Sequence, residues 1–249
     1  MQYCSLKEII RSLPEKKNSK SSLWVKLVVR KISFLITYLL INVGCSAWGA
    51  SIISVLVAIA GSFCFVVDNT FCRIIGVCLI EFWLVLDCVD GNIARVKKTS
   101  SEMGDFIDAL SGYYVTGLVY FFVGIAAYYT TNIFRNDALA LIVLGGVSTI
   151  AGLLARIIHQ KYTYSIMVIN QRNAMNHNEI PEEGVENKKS IQYIRSRIDK
   201  EIGISGLFMP LLIVALIFNL FDLFTIFYCV FQCCGLLAVT VYYAFKARK

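Results

Sequence analysis

Six apolar runs, most of them about twenty residues long, constrain this chain more than any other feature. They cover 46–67, 71–89, 106–129, 138–158, 204–220 and a last stretch ending near Phe245. A run of that length crosses the hydrocarbon core of a bilayer as a helix and is too long for a barrel strand. Only three prolines occur in 249 residues, so long helices are uninterrupted. The chain is 57% hydrophobic and 16% charged, whereas a soluble domain is roughly half apolar and about a quarter charged. Its mean hydropathy of +0.64 agrees. The expected fold class is an all-α integral membrane protein with six transmembrane helices.

The polar segments between the runs set the organisation. Residues 1–22 are polar and basic, with Lys7, Arg11, Lys16, Lys17 and Lys20. The first thirty residues lack an apolar core and a cleavage pattern, so no signal peptide is expected. Residues 23–42 are apolar but carry Lys26, Arg30 and Lys31. Lys26 and Arg30 are four apart and share a helical face, which favours an N-terminal interfacial amphipathic helix over the start of a first span. Gly44, Cys45 and Ser46 break the pattern, and Ser46 suits an N-cap. The division expected is an arm with an interfacial helix over 1–45 and a six-span domain over 46–249.

Charge fixes orientation. The arm, residues 90–104, residues 159–203 and the tail hold nearly all the lysine and arginine, while the three alternate turns hold only Arg73 and Arg135. Positive residues stay on the cytoplasmic side, so both termini and the 90–104 segment are expected there. The net charge of +7 then reflects inner loops facing anionic lipid, and no nucleic-acid partner is expected. The nine cysteines lie mostly inside apolar runs without zinc-site spacing, and read as small apolar helix residues. His159 and His177 are too isolated to assign, and the acidic PEEGVE stretch reads as a solvated loop.

One polar stretch is unlike the others. Residues 87–112 read DCVDGNIARVKKTSSEMGDFIDALSG, where apolar sequence meets polar sequence. Acidic residues at membrane depth are costly and mark function by default. Asp87, Asp90 and Ala94 are spaced i, i+3, i+7, with Gly91 at i+4, so a continuing helix puts them on one face. Gly104, Asp108 and Gly112 are spaced i, i+4, i+8 and form a second face. Together these faces bring Asp87, Asp90 and Asp108 close. Three carboxylates repel unless a cation joins them, and hard Mg²⁺ or Mn²⁺ suits oxygen ligands. Gly91 and Ala94 leave room for a nucleotide, and Arg95, Lys97 and Lys98 can neutralise phosphate. The pattern suggests metal-assisted chemistry on a phosphoanhydride. Blander roles stand beside it: Lys97 and Lys98 as positive-inside anchors, Gly104 and Gly112 as helix-packing positions.

The spacing D-x2-D-G-x2-A-R-x8-G-x3-D resembles the signature of the CDP-alcohol phosphatidyltransferase family. It is carried by Asp87, Asp90, Gly91, Ala94, Arg95, Gly104 and Asp108. The resemblance implies transfer of a phospho-alcohol (phosphatidyl) group from a CDP-linked donor, often CDP-diacylglycerol, to an acceptor hydroxyl, with release of CMP. It also implies divalent metal at Asp87, Asp90 and Asp108, the CDP site at Gly91, Ala94, Arg95 and Gly104, and a homodimer in contact with membrane lipids. The family pattern continues to a further aspartate, a metal ligand and proposed general base, where this chain has Gly112. Three consequences stay open. Another base can serve, with Asp105 first, then Glu102, Tyr113 and Ser111. An ionised group on the acceptor can serve. Or the chain binds a CDP-lipid without turnover. A small transporter fits the spans but leaves the seven motif positions unexplained. Basic residues before the fifth span, Arg195 and Arg197 among them, and Arg156 at the end of the fourth, suit a phosphorylated acceptor or anionic lipid.

Overall fold

A computed structural model describes residues 4–19, 21–99, 101–131, 133–177 and 201–247, and every regular element in them is helical. Two short helices, α1 (Leu6–Arg11) and α2 (Glu15–Ser19), open the chain. A π-helical turn, Val25–Val29, leads into α3 (Arg30–Asn42). The long elements follow: α4 (Ala47–Phe63), α5 (Thr70–Lys97), α6 (Glu102–Thr130) and α7 (Ala138–His177). A second π-turn, Ile204–Phe208, precedes α8 (Met209–Phe218), and α9 (Phe221–Ala247) closes the described chain.

Local chemistry sets the boundaries. Ser46 caps α4 as its sequence position suggested, its hydroxyl accepting from the Gly49 N–H at 3.0 Å. Gly44 just before it has φ +90°, a conformation other residues rarely adopt. Asn219, in the left-handed region, ends α8, and its side-chain amide donates to the Thr130 carbonyl at 3.1 Å. The Thr131 hydroxyl donates to Asp222 at 3.0 Å, closing the same end of the bundle.

Four helical segments are long and apolar enough to cross a membrane: Ala47–Val66, Glu102–Thr130, Arg135–Arg172 and Phe221–Lys246. Helix α5 is also long, at 28 residues, but carries Arg73, Glu81, Asp87, Asp90, Arg95 and Lys97. The apolar stretch Ile204–Phe218 is shorter. The protein is thus a membrane protein by composition, and four of the six expected spans meet the criteria of length and hydropathy.

α4 lies against both α5 and α6, α7 packs along α6, and α9 packs along α7. Between lipid-facing helices the driving force is close packing rather than water exclusion. The α6–α7 crossing shows it. A Cβ on Gly124 would stand 2.8 Å from the Leu141 carbonyl oxygen and 3.1 Å from the Gly145 Cα, so only glycines let these backbones approach. An aromatic group fills the core where the Ile204–Phe208 turn and α9 meet α6, with the Phe208 ring 4.9 Å from Tyr228 and 5.2 Å from Tyr120. All nine cysteines are free.

The arm is integrated into this bundle. α3 packs on α5 with Arg30, Ser33, Thr37 and Ile41 buried, while Ile32, Leu35 and Leu39 face outward. Its polar side therefore points into the protein. Lys26 and Arg30 do not share a role: the Lys26 ammonium donates to the Ser19 carbonyl, and Arg30 is only 7% exposed. The π-turn widens the helix between them, so a spacing of four no longer aligns two side chains.

Candidate active site

The Asp87–Arg95 stretch is helical because α5 runs on past the apolar segment. Asn69 caps its start, accepting from Phe71 N–H at 2.7 Å, and Lys98 ends it in the left-handed conformation. The Lys97 ammonium donates to the Cys45 carbonyl at 2.7 Å and ties this end of α5 to the start of α4. Asp87, Asp90, Gly91 and Ala94 thereby share one side of α5, as their spacing predicted, and Arg95 lines the same cavity. The Asp90 carboxylate accepts from the Ser51 hydroxyl of α4 and is buried. Asn92, fully buried, donates to the Thr37 hydroxyl at 3.1 Å and the Ser33 hydroxyl at 3.4 Å on α3. Its carbonyl oxygen accepts from Arg95 Nη2 at 2.5 Å. α3 thus fixes Asn92, and Asn92 fixes the guanidinium of Arg95.

The α6 side is more open. Ser101 caps the helix, accepting from the Gly104 N–H at 3.1 Å. Asp108 is exposed toward the space between α5 and α6 and interacts with the half-buried Asp87. Gly112 lies one turn further on. A Cβ there would stand 3.2 Å from Arg156 Nη1 of α7, and that guanidinium also sits 5.8 Å from the Tyr113 ring centroid. A cation thus stands beside the position where the resemblance puts a carboxylate. Ser111 faces the other way and accepts from the Trp83 indole N–H at 2.8 Å, which joins α5 to α6.

A cavity of about 960 Å³ opens between these helices. All seven motif residues, Asp87, Asp90, Gly91, Ala94, Arg95, Gly104 and Asp108, line it. That volume suits a nucleotide-sized ligand, since small-molecule sites run from roughly 300 to 1,000 Å³. The cavity has two electrostatic poles. Carboxylates from α5 and α6 form one. Arg95 forms the other with two cations from the arm, Arg30 and Lys17. Among the described residues, no three His, Cys, Asp or Glu side chains converge to hold a metal between them as they stand. Asp87 and Asp108 face each other, while Asp90 is turned toward Ser51. The donor set still has the chemistry of a hard-cation site, with carboxylate oxygens only and like charges lining one cavity.

A family model for the CDP-alcohol phosphatidyltransferases matches residues 47–172, just over half of the 249-residue chain. The chain belongs to that family. The match runs from the start of α4 through most of α7 and includes every motif residue on the cavity. No curated protein matches the chain. The family is one of transferases whose members take CDP-alcohol donors and alcohol acceptors. The seven motif residues therefore occupy one place in the fold. Asp105, the first alternative base, lies on α6, and its side chain is outside the described residues, as are Arg195 and Arg197. Glu102, Ser111, Gly112 and Tyr113 do not line the cavity. Sequence reasoning missed Lys17, Arg30 and Asn92. For Arg30 a signal existed, Ser33 and Thr37 following it at i+3 and i+7, which marks a polar inward face.

Proposed function

We propose that this protein transfers a phospho-alcohol group from a CDP-linked donor to an acceptor hydroxyl, releasing CMP, at the cytoplasmic face of a membrane. One observation carries the reading: the seven motif residues line a single cavity with a carboxylate pole and a cationic pole. Gly91, Ala94 and Gly104 leave the walls low enough for the cytidine diphosphate to lie against backbone, and Arg95 meets its phosphates. Asp87, Asp90 and Asp108 would hold Mg²⁺ or Mn²⁺, which would supply charge neutralisation at the diphosphate. Asp108, on the open side of the cavity, faces the incoming acceptor.

The acceptor oxygen bonds to the phosphorus that carries the donor alcohol. The bond from that phosphorus to the bridging oxygen breaks, and its electron pair leaves with CMP. The hydroxyl proton passes to a carboxylate on the first turns of α6, Asp108 or Asp105. Arg195 and Arg197 bind the acceptor from the 159–203 segment. CDP-diacylglycerol is the donor class that suits a site framed by helices of a membrane protein. α5 and Ile204–Phe218 complete six spans with both termini cytoplasmic. The outward apolar residues of α3, Ile32, Leu35 and Leu39, rest in lipid at the interface. The active protein is a homodimer working in phospholipid or related glycolipid or polymer synthesis.

A second reading has a specific observation behind it. Arg156 stands beside Gly112, where a base is expected, and this suits a protein that binds a CDP-lipid without turnover. The test is CMP release by the purified protein with Mg²⁺ or Mn²⁺, CDP-diacylglycerol or a soluble CDP-alcohol, and a panel of hydroxyl acceptors. Transfer gives CMP in step with one acceptor. CDP binding without CMP from any donor supports the silent reading.

A further inference from the structure

The cationic pole is built largely by residues outside the family match. Arg30 begins α3 and is nearly buried, yet no carboxylate among the described residues pairs with it. Its Nη2 donates to the Ser21 hydroxyl at 2.6 Å, and its Nε is buried with no partner. Arg95 repeats the pattern: one nitrogen is spent on Asn92, and Nε is buried and unpartnered. The two guanidiniums are close enough to repel each other. Lys17, from α2, brings a third charge. Its Nζ lies 3.8 Å from where a Gly91 Cβ would be, and Arg95 Nη1 lies 3.2 Å from the same point. All three side chains line the cavity.

A buried guanidinium without a counter-charge is costly, and a second one beside it makes the cost greater. The nearby carboxylates relieve it only in part: Asp90 attracts Arg95 and Lys17, and Asp87 attracts Lys17, but none of them pairs with Arg30. Asp90 is engaged by Ser51, and Asp87 faces Asp108. What relieves three converging cations is an anion with several oxygens. A diphosphate fits, because planar guanidiniums bind phosphate oxygens in pairs while a lysine adds a movable point charge.

We propose that Lys17 and Arg30 bind the diphosphate of the CDP-linked donor together with Arg95, so that the N-terminal arm is a wall of the donor site. This rests on the reading of the cavity as a CDP site. Arg30 is held in place by Ser21 and by the packing of α3 on α5. Lys17 sits on a short exposed helix and closes over the donor from the side of Gly91. Two residues are thereby assigned to donor recognition that the family motif does not contain.

The test uses the full-length protein in detergent or nanodiscs, with CDP and CMP as probes and binding measured calorimetrically in Mg²⁺ buffer. Wild type is expected to prefer CDP over CMP. Lys17→Ala and Arg30→Lys should each reduce that preference roughly tenfold, the scale of one charge-assisted contact. Lys17 is exposed, so its variant keeps the fold, and the Arg30 change retains a positive charge. An unchanged CDP preference in both variants would overturn the proposal. Equal loss of CDP and CMP affinity would overturn it too, since that is what a purely structural arm produces. A wild type that binds neither nucleotide would instead remove the CDP reading itself.

Discussion

The two halves of the cavity are built differently. On the α5 side three polar groups are held: Asp90 by Ser51, Asn92 by Ser33 and Thr37, Arg95 by Asn92. Three helices and the arm enclose it. On the α6 side Asp108 is exposed, Ser111 is turned away to Trp83, and Gly112 lies under Arg156. The first half is preorganised, as a site for the part of a substrate that never changes should be. The second half is open and departs from the family pattern, as suits the side that receives a variable acceptor. Groups held in place in advance lose less freedom when a ligand binds, so the α5 side is where donor affinity should reside.

The contrast can be broken or sharpened in steps. The largest effect is expected from Asp108→Asn, which removes the one motif carboxylate of α6 that faces the cavity. CMP release should fall by more than about a hundredfold with the fold retained, beyond the roughly 10–100-fold cost of losing a group that merely supports a metal ligand. Wild-type turnover in this variant would mean that the α6 side takes no part in chemistry. Asn92→Ala comes next. It frees Arg95 and leaves Ser33 and Thr37 facing a void, so the donor KM should rise by about tenfold or more, with thermal stability reduced by roughly 1–3 kcal/mol. An unchanged donor KM would show that the clamp from α3 does not organise the site.

A smaller effect is expected from Ser51→Ala. Asp90 loses one hydrogen bond, and activity should drop only a few-fold, about 1 kcal/mol in transition-state terms. The smallest belongs to Gly112→Asp. The new carboxylate would meet Arg156, whose guanidinium is the flexible end of a side chain and can swing to pair with it. An exposed pair of this kind is worth about 0–1 kcal/mol, so stability should hardly move and turnover should stay within a few-fold. A large gain in CMP release from this one change would show that the missing carboxylate limits the enzyme, and that Arg156 does not neutralise it.

Much of the α5 half was legible before any coordinates. The i, i+3, i+4, i+7 spacing from Asp87 to Ala94 needs only a continuing helix to form a face, and the capped α5 supplies it. Ser46 was equally readable, because caps are local. The four clearly apolar spans were visible as runs. What could not be read depends on packing between distant segments. Lys26 and Arg30 looked like a basic stripe on an interfacial helix, until the π-turn over Val25–Val29 put Arg30 inside. Asn92 sits within the motif but reads as a filler between Gly91 and Ala94. Its role exists only because α3 returns to lie against α5. Arg156 is 44 positions from Gly112, and nothing local relates them until α7 packs on α6.

If the proposed function is right, the cavity carrying the seven motif residues turns over a CDP-linked donor. The most direct measurement is CMP formed by wild type and by Asp87→Asn, purified side by side and supplied with Mg²⁺, CDP-diacylglycerol and the acceptor panel. Wild type should yield CMP and acceptor-linked product in equal amounts, and the variant neither above background. Equal CMP from both proteins would contradict the proposed function, because the carboxylate at the heart of the α5 side would then be dispensable.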